Sequence, residues 1–312
     1  MKVLLTNHGM SDFAGSELAT YTLAHMLRRQ GHDPWVYTPM PGQVSARLGD
    51  VGFKVTGDVA EWRGERFDVV HFHHRVCVPP VRAVFPDLPA IYVSHGVIPD
   101  LEKPPLDAGI DRFVAVSEEV EGMLQRLGVS PDRISVIRNG VNLCRFKPLR
   151  RVSAKLNRVL VISNHFPTSL WKLLQTACKR LGAELRGIGI GLDRGPTWET
   201  ETLMNWADLV VSLGRGALEA MACARAVLVW DVHGGDGLVT PDTYPAIRKC
   251  NFSGRAVGED YGLERLVDLL RQYRPEMGAV NRKLAMYRHD SERLVWDYER
   301  VYEWAVERRS SC

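Results

Sequence analysis

The chain has 312 residues, 45% hydrophobic and 25% charged, which is enough for two domains with separate cores and unlike a disordered segment. A formal net charge of +3 is too small to argue for a nucleic-acid partner and allows only a weak contact with an anionic membrane surface. The opening MKVLLTNHGMSD reads as a first strand and not as a signal peptide, and no apolar run approaches a membrane span, so a cytoplasmic location is expected.

Cys77, Cys144, Cys178, Cys223, Cys250 and Cys312 are scattered, with no CxxC pair and no zinc spacing, which reads as reduced thiols. In chain order, a strand at 2–5 runs through the glycine-containing loop NHGMSDFAGSE into a helix at 16–30. Ala19, Leu23, Met26 and Leu27 recur there at helical spacing, and Gly31 ends it. Further strands are predicted at 34–37, 67–71, 90–94, 112–116 and 134–137. A helix follows Ser117, with Glu118 and Glu119 in its first turn and Gly128 at its end.

Residues 146–158, FKPLRRVSAKLNR, are basic and poor in large apolar residues, and read as an interdomain linker. The alternation then restarts, with strands at 159–162 and 185–190 and helices at 169–181 and 199–206. A strand near 255–257, a helix at 261–273 and a helical tail to Arg309 complete the chain. In the tail Leu294, Tyr298, Val301, Tyr302 and Ala305 share a stripe, and the tail aromatics, Trp296 and Trp304 included, are expected to pack between domains.

Residues 207–236, ADLVVSLGRGALEAMACARAVLVWDVHGGD, carry the clearest chemistry. They read as strand, glycine turn, helix, strand and glycine loop. Gly214 and Gly216 let the backbone turn, and a helix N-terminus suits a phosphate. Glu219, one turn in, can reach a sugar hydroxyl beside it. His71, His73 and His74 suggest metal, but strand alternation sends His73 and His74 to opposite faces, and no carboxylate or cysteine completes a set. No metal is therefore expected.

Five stretches resemble glycosyltransferase family 4: FAGSE, VVHFHH, YVSHG, SEEVEGMLQRLGVSPDRISVIRNGVNLCRFKP and LEAMACARAVLVWDVHGGDG. The resemblance implies an α/β chain of the GT-B fold, with two Rossmann-like doubly wound domains facing a cleft and C-terminal helices. The domains would be 1–148 on the acceptor side, a linker at 149–157, 158–285 on the nucleotide-sugar side, and a helix at 286–312 packing back toward the first domain. The implied function is a glycosyltransferase of the hexosyltransferase type moving a sugar from a UDP-, GDP- or ADP-sugar to an acceptor hydroxyl, retaining and metal-independent, after the two domains close. The alternatives are a degenerate GT-B protein that binds without transfer and a sugar-nucleotide epimerase.

Carried over residue by residue, the resemblance gives catalytic roles to His95, beside the transferred sugar, and to Glu219, on the ribose hydroxyls. Donor contacts fall to Gly15, Lys172, Gly214, Arg215, Gly216, Ala217 and Leu218, and acceptor contacts to Ser11, Glu17, His73 and Asn139. Two departures stand out. The family's second glutamate, eight residues before the first, corresponds to Val211. Its Gly-Arg and Lys group is replaced by Ser163, Asn164 and a displaced Lys172, with Arg215 as a substitute cation.

Overall fold

A computed structural model describes residues 1–11 and 13–310, so Cys312 lies outside the described residues. Two compact units emerge, one of Met1–Asn139 with the chain from Ser291 onward, the other of Gly140–Asp290.

In the first unit the strands are β1 Lys2–Thr6, β2 Asp33–Tyr37, β3 Lys54–Thr56, β4 Val69–His73, β5 Ala90–Ser94, β6 Arg112–Ala115 and β7 Ile134–Val136. They form one parallel sheet in the order β3-β2-β1-β4-β5-β6-β7. The helices are α1 Gly15–Arg29, α2 Gln43–Asp50, α3 Val78–Val84 and α4 Glu118–Arg126. The second unit holds β8 Arg158–Ile162, β9 Glu184–Ile188, β10 Leu209–Ser212, β11 Ala226–Asp231 and β12 Gly234–Leu238, in the order β12-β11-β10-β8-β9. Its helices are α5 Thr168–Leu181, α6 Thr200–Trp206, α7 Gly214–Ala222, α8 Tyr244–Lys249, α9 Leu263–Arg271 and α10 Glu276–Arg288, and α11 Ser291–Ser310 returns to the first unit. The central strands are buried along their whole length, as the near-continuous apolar runs of a helix-covered parallel sheet require.

Several expectations need correction. The division falls at Asn139, upstream of 148, and the basic stretch at 149–157 is part of the second unit. Val141 and Phe146 sit in that unit's core. The backbone N–H groups of Ser153, Asn157 and Arg158 converge on the fully buried Asp208 carboxylate at 2.9, 3.2 and 3.1 Å. A stretch poor in large apolar side chains is anchored here by hydrogen bonds to one buried charge.

Residues 255–257 form no strand. Val257 is 66% exposed, and the Val257 and Gly258 N–H groups donate to Asp236 Oδ1. The Gly-Gly segment expected as a loop is instead β12, an antiparallel edge strand. A Cβ on Gly235 would lie 2.2 Å from the Tyr261 ring, so only glycine can carry the strand past it. The helical tail is broken at His289–Asp290, where the Val141 N–H donates to the His289 carbonyl. On α11, Val295, Val301, Tyr302 and Ala305 are buried in the first unit's core while Trp296 is 56% exposed, so the aromatic stripe packs inside one unit.

Candidate functional site

In the second unit the chain leaves the neighbouring strands β8 and β10 in opposite directions, toward β9 and toward β11. The carboxyl ends of such a pair are the crevice where doubly wound sheets bind ligands. There α7 starts after Leu213 alone. Gly214 has φ +49, and a Cβ on Gly216 would stand 2.2 Å from Ser212 Oγ. That hydroxyl donates to the Ile162 carbonyl at 2.7 Å, locking the turn to β8.

The helix start offers fewer donors than expected. The Gly214 N–H donates to the Phe252 carbonyl at 2.8 Å and the Ala217 N–H to the Leu213 carbonyl at 3.3 Å. Leu218 lies beyond the first turn, with its side chain in the core. Arg215 and Gly216 hold the remaining first-turn positions, where helix geometry supplies no intrahelical acceptor.

Glu219 is buried, and Arg215 Nε donates to its Oε1 at 2.6 Å. Burial raises the Glu219 carboxyl above its ordinary value, against the opposing pull of Arg215 and Arg145. Arg145 is itself held by Glu201 at 2.9 Å and lies 4.2 Å from the centre of the Trp198 ring. An arginine in a helix's first turn opposes the macrodipole, so Arg215 is placed for an anion: in this structure Glu219, in principle a phosphate. Lys172 is exposed in the second turn of α5. Ser163 is engaged, donating to Asp231 Oδ2 at 2.5 Å.

Val211 is fully buried within β10, paired with Val161 and Leu228. The eight-residue spacing of the resembled signature therefore points into the core in this chain. With one residue between β10 and α7, no loop exists there to carry a second carboxylate.

In the first unit the corresponding reversal lies between β1 and β4. At their carboxyl ends Thr6 Oγ1 accepts from the His73 N–H at 3.2 Å. His71, His73 and His95 form a stack, with ring centres 4.5 Å and then 4.7 Å apart. His73 Nδ1 lies 2.5 Å from His95 Nε2, and His71 Nδ1 lies 2.6 Å from the Tyr302 hydroxyl of α11. His71 and His73 point to one side because they alternate along β4. Burial, and then the neighbouring histidines, push His71 and His73 well below the ordinary histidine value. Burial also lowers His95, against Glu102 and a hydrogen bond with the Asn139 side chain.

His74 has φ +67, which turns it out of the strand pattern. One carboxylate approaches it: Glu102 Oε1 stands 3.6 Å from His74 Nε2, and its Oε2 accepts the His95 N–H at 2.7 Å. Burial would raise Glu102, but the hydrogen bonds and charges of His74 and His95 outweigh it and lower the carboxyl. Among the described residues no group of metal-ligating side chains assembles.

His73 is 1% exposed. It lies against His95 and is not presented to an acceptor, and Asn139 bonds the same histidine from the end of the unit. Glu17 is buried in the first turn of α1. Gly15 is exposed at its start, with open space around its missing Cβ. Ser11 lies against Gly42, where a Cβ would fall 2.8 Å from that of Ser11. The sequence reading missed Glu102, Arg145, Trp198 and Glu201. Each lies in or beside an irregular segment, where periodicity carries no signal.

Residues 13–145 match the model of glycosyltransferase family 4. The likeness to that family covers less than half of the chain. No curated protein sequence matches the chain. Among solved structures, Anabaena HepE in complex with UDP and glucose aligns over 97% of this chain and 99% of its own, at 15% identity and a TM-score of 0.72. WaaG, a glycosyltransferase involved in lipopolysaccharide biosynthesis, aligns over 96% and 99%, at 13% identity and 0.66. A putative UDP-N-acetylglucosamine 2-epimerase from Listeria monocytogenes aligns over 93% and 98%, at 14% identity and 0.51. The chain therefore has the GT-B fold. No helix among the described residues is long and apolar enough to cross a membrane.

Proposed function

We propose that the chain transfers a sugar from a nucleoside diphosphate to an acceptor hydroxyl, with the donor on the Gly140–Asp290 unit and the acceptor on the first unit. The observation that carries this reading is the buried Glu219 one turn into a helix that opens at the sheet's reversal point, with Arg215 in the same first turn. Glu219 would accept from the ribose hydroxyls. The diphosphate would draw Arg215 away from Glu219 and meet the Gly216 N–H, with Lys172 as a second cation. Charge developing on the leaving group is then stabilised by the chain's own dipoles and cations, so the reaction is proposed to be metal-independent, and retaining as the resemblance implies. HepE is solved with UDP-glucose, which supports a nucleotide-sugar donor, and a UDP-sugar is the first to test.

A panel of UDP-, GDP- and ADP-sugars, with mass detection of hydrolysis and transfer, tests the proposal. Glu219→Ala should reduce turnover on the order of 10²- to 10³-fold while the variant keeps its fold, read by circular dichroism. Near-normal turnover by that variant sinks the assignment. One observation favours a second reading, binding without transfer: the position eight residues before Glu219 is Val211, buried in β10, and not a carboxylate. Wild-type turnover of any donor decides between the two, and product NMR separates transfer from epimerisation.

A further inference from the structure

The histidine stack has an ordered logic that the site's role alone does not demand. His95 sits at the end of β5 with ring contacts on two sides, His73 at 2.5 Å from Nε2 and the Asn139 side chain. The Asn139 side chain is the ring's second hydrogen-bonding partner. A neutral imidazole with one donating nitrogen must accept at the other. Behind it, His73 and His71 are fully enclosed, and the row ends on the Tyr302 hydroxyl.

We propose that His73 is a positioning residue for His95: its Nδ1–H donates to His95 Nε2, holding His95 as a single neutral tautomer that donates through Nδ1 to Asn139, with its ring in one orientation. His71 and Tyr302 complete the support by stacking behind His73 and tying the row to α11. This rests on the reading in which His95 stands beside the transferred sugar, and it moves His73 from the acceptor surface to the layer behind it. The titratable groups facing this row are His71 and His73 on β4, His74 after it, Glu102 in the loop after β5, and Tyr298 and Tyr302 on α11. Glu102 brings a negative charge to the His95 end, oriented by the His95 backbone N–H and His74, while Asp297 and Glu299 act on the tyrosines at the α11 end.

Imidazole ¹⁵N NMR on the full-length protein without substrate tests the contact directly. Wild-type His95 should show an unprotonated, hydrogen-bonded Nε2 and a protonated Nδ1. His73→Leu removes the donor, so His95 should become a mixture of tautomers and titrate at a higher pH. His73→Asn, whose amide N–H stands near the position of Nδ1, should keep the single tautomer. In turnover, His73→Leu should lose kcat by roughly 10- to 100-fold, the range for residues that orient a working side chain. Donor KM should change less than about twofold, because the nucleotide is held elsewhere, and His73→Asn should recover most of the loss. A wild-type His95 protonated at Nε2 overturns the proposal even if the Leu variant does not fold. So does a folded His73→Leu with the wild-type tautomer or the wild-type kcat. A wild-type chain inert toward every donor would instead overturn the functional reading, and the NMR result would still decide the His73 contact.

Discussion

At the residue scale, Gly216 shows how close approach fixes an amino acid. The missing Cβ leaves room for Ser212 Oγ, which crosses to the Ile162 carbonyl and joins the β10 and β8 ends. Gly216→Ala should destabilise the protein by about 1–3 kcal/mol, the cost of overpacking a fixed site. Ser212→Ala in the same chain should return part of that loss, because it removes the clashing atom. Urea midpoints of the two single variants and the double variant measure the coupling, and strictly additive losses would contradict this account. Glu219 and its turn were legible in the sequence because strand, glycine and helix follow one another within a dozen residues of chain. Glu102 was not legible, since its importance comes from touching His74 and His95, which reach it from other segments.

At the element scale, α11 shows a periodic stripe whose partner the periodicity could not name. Its Tyr302 hydroxyl is the hydrogen-bonding partner of the enclosed His71 Nδ1, while Trp296 on the same helix points outward. Tyr302→Phe should therefore cost about 1–3 kcal/mol, the penalty for orphaning a buried polar atom, while Trp296→Ala should stay within about 0.5 kcal/mol. Thermal unfolding of both variants gives the comparison, and equal effects would mean that the buried hydrogen bond contributes nothing. The same limit explains β12. Gly234 and Gly235 look like loop residues by composition, and only the Tyr261 ring pressing on one face and β11 pairing along the edge make them a strand.

At the scale of the whole molecule, enclosed neutral histidines make stability depend on pH. The unfolded chain takes up protons at its histidines near about pH 6.5, whereas burial lowers His71, His73 and His95 in the folded protein. Their contribution is complete above about pH 6.5 and is lost as pH falls below it, because the unfolded state then binds more protons. Glu102, lowered in the fold, acts in the same direction below about pH 4.3, and Glu219, raised by burial, acts against it. The thermal midpoint should accordingly fall between about pH 7 and 5, and a midpoint that is flat or rises over that interval would refute the argument. His71→Phe should flatten the slope in part.

The sequence by itself determined the α/β alternation, the two-unit plan and the turn that presents Glu219, because each depends on neighbours within one strand-helix step. Tertiary structure alone decided where the chain divides, since Asp208 gathers the basic stretch onto the second unit through backbone N–H groups that no side-chain pattern reveals. It likewise placed Val211 in the core and His73 behind His95, because burial and a 2.5 Å contact between adjacent strands are properties of packing and not of spacing.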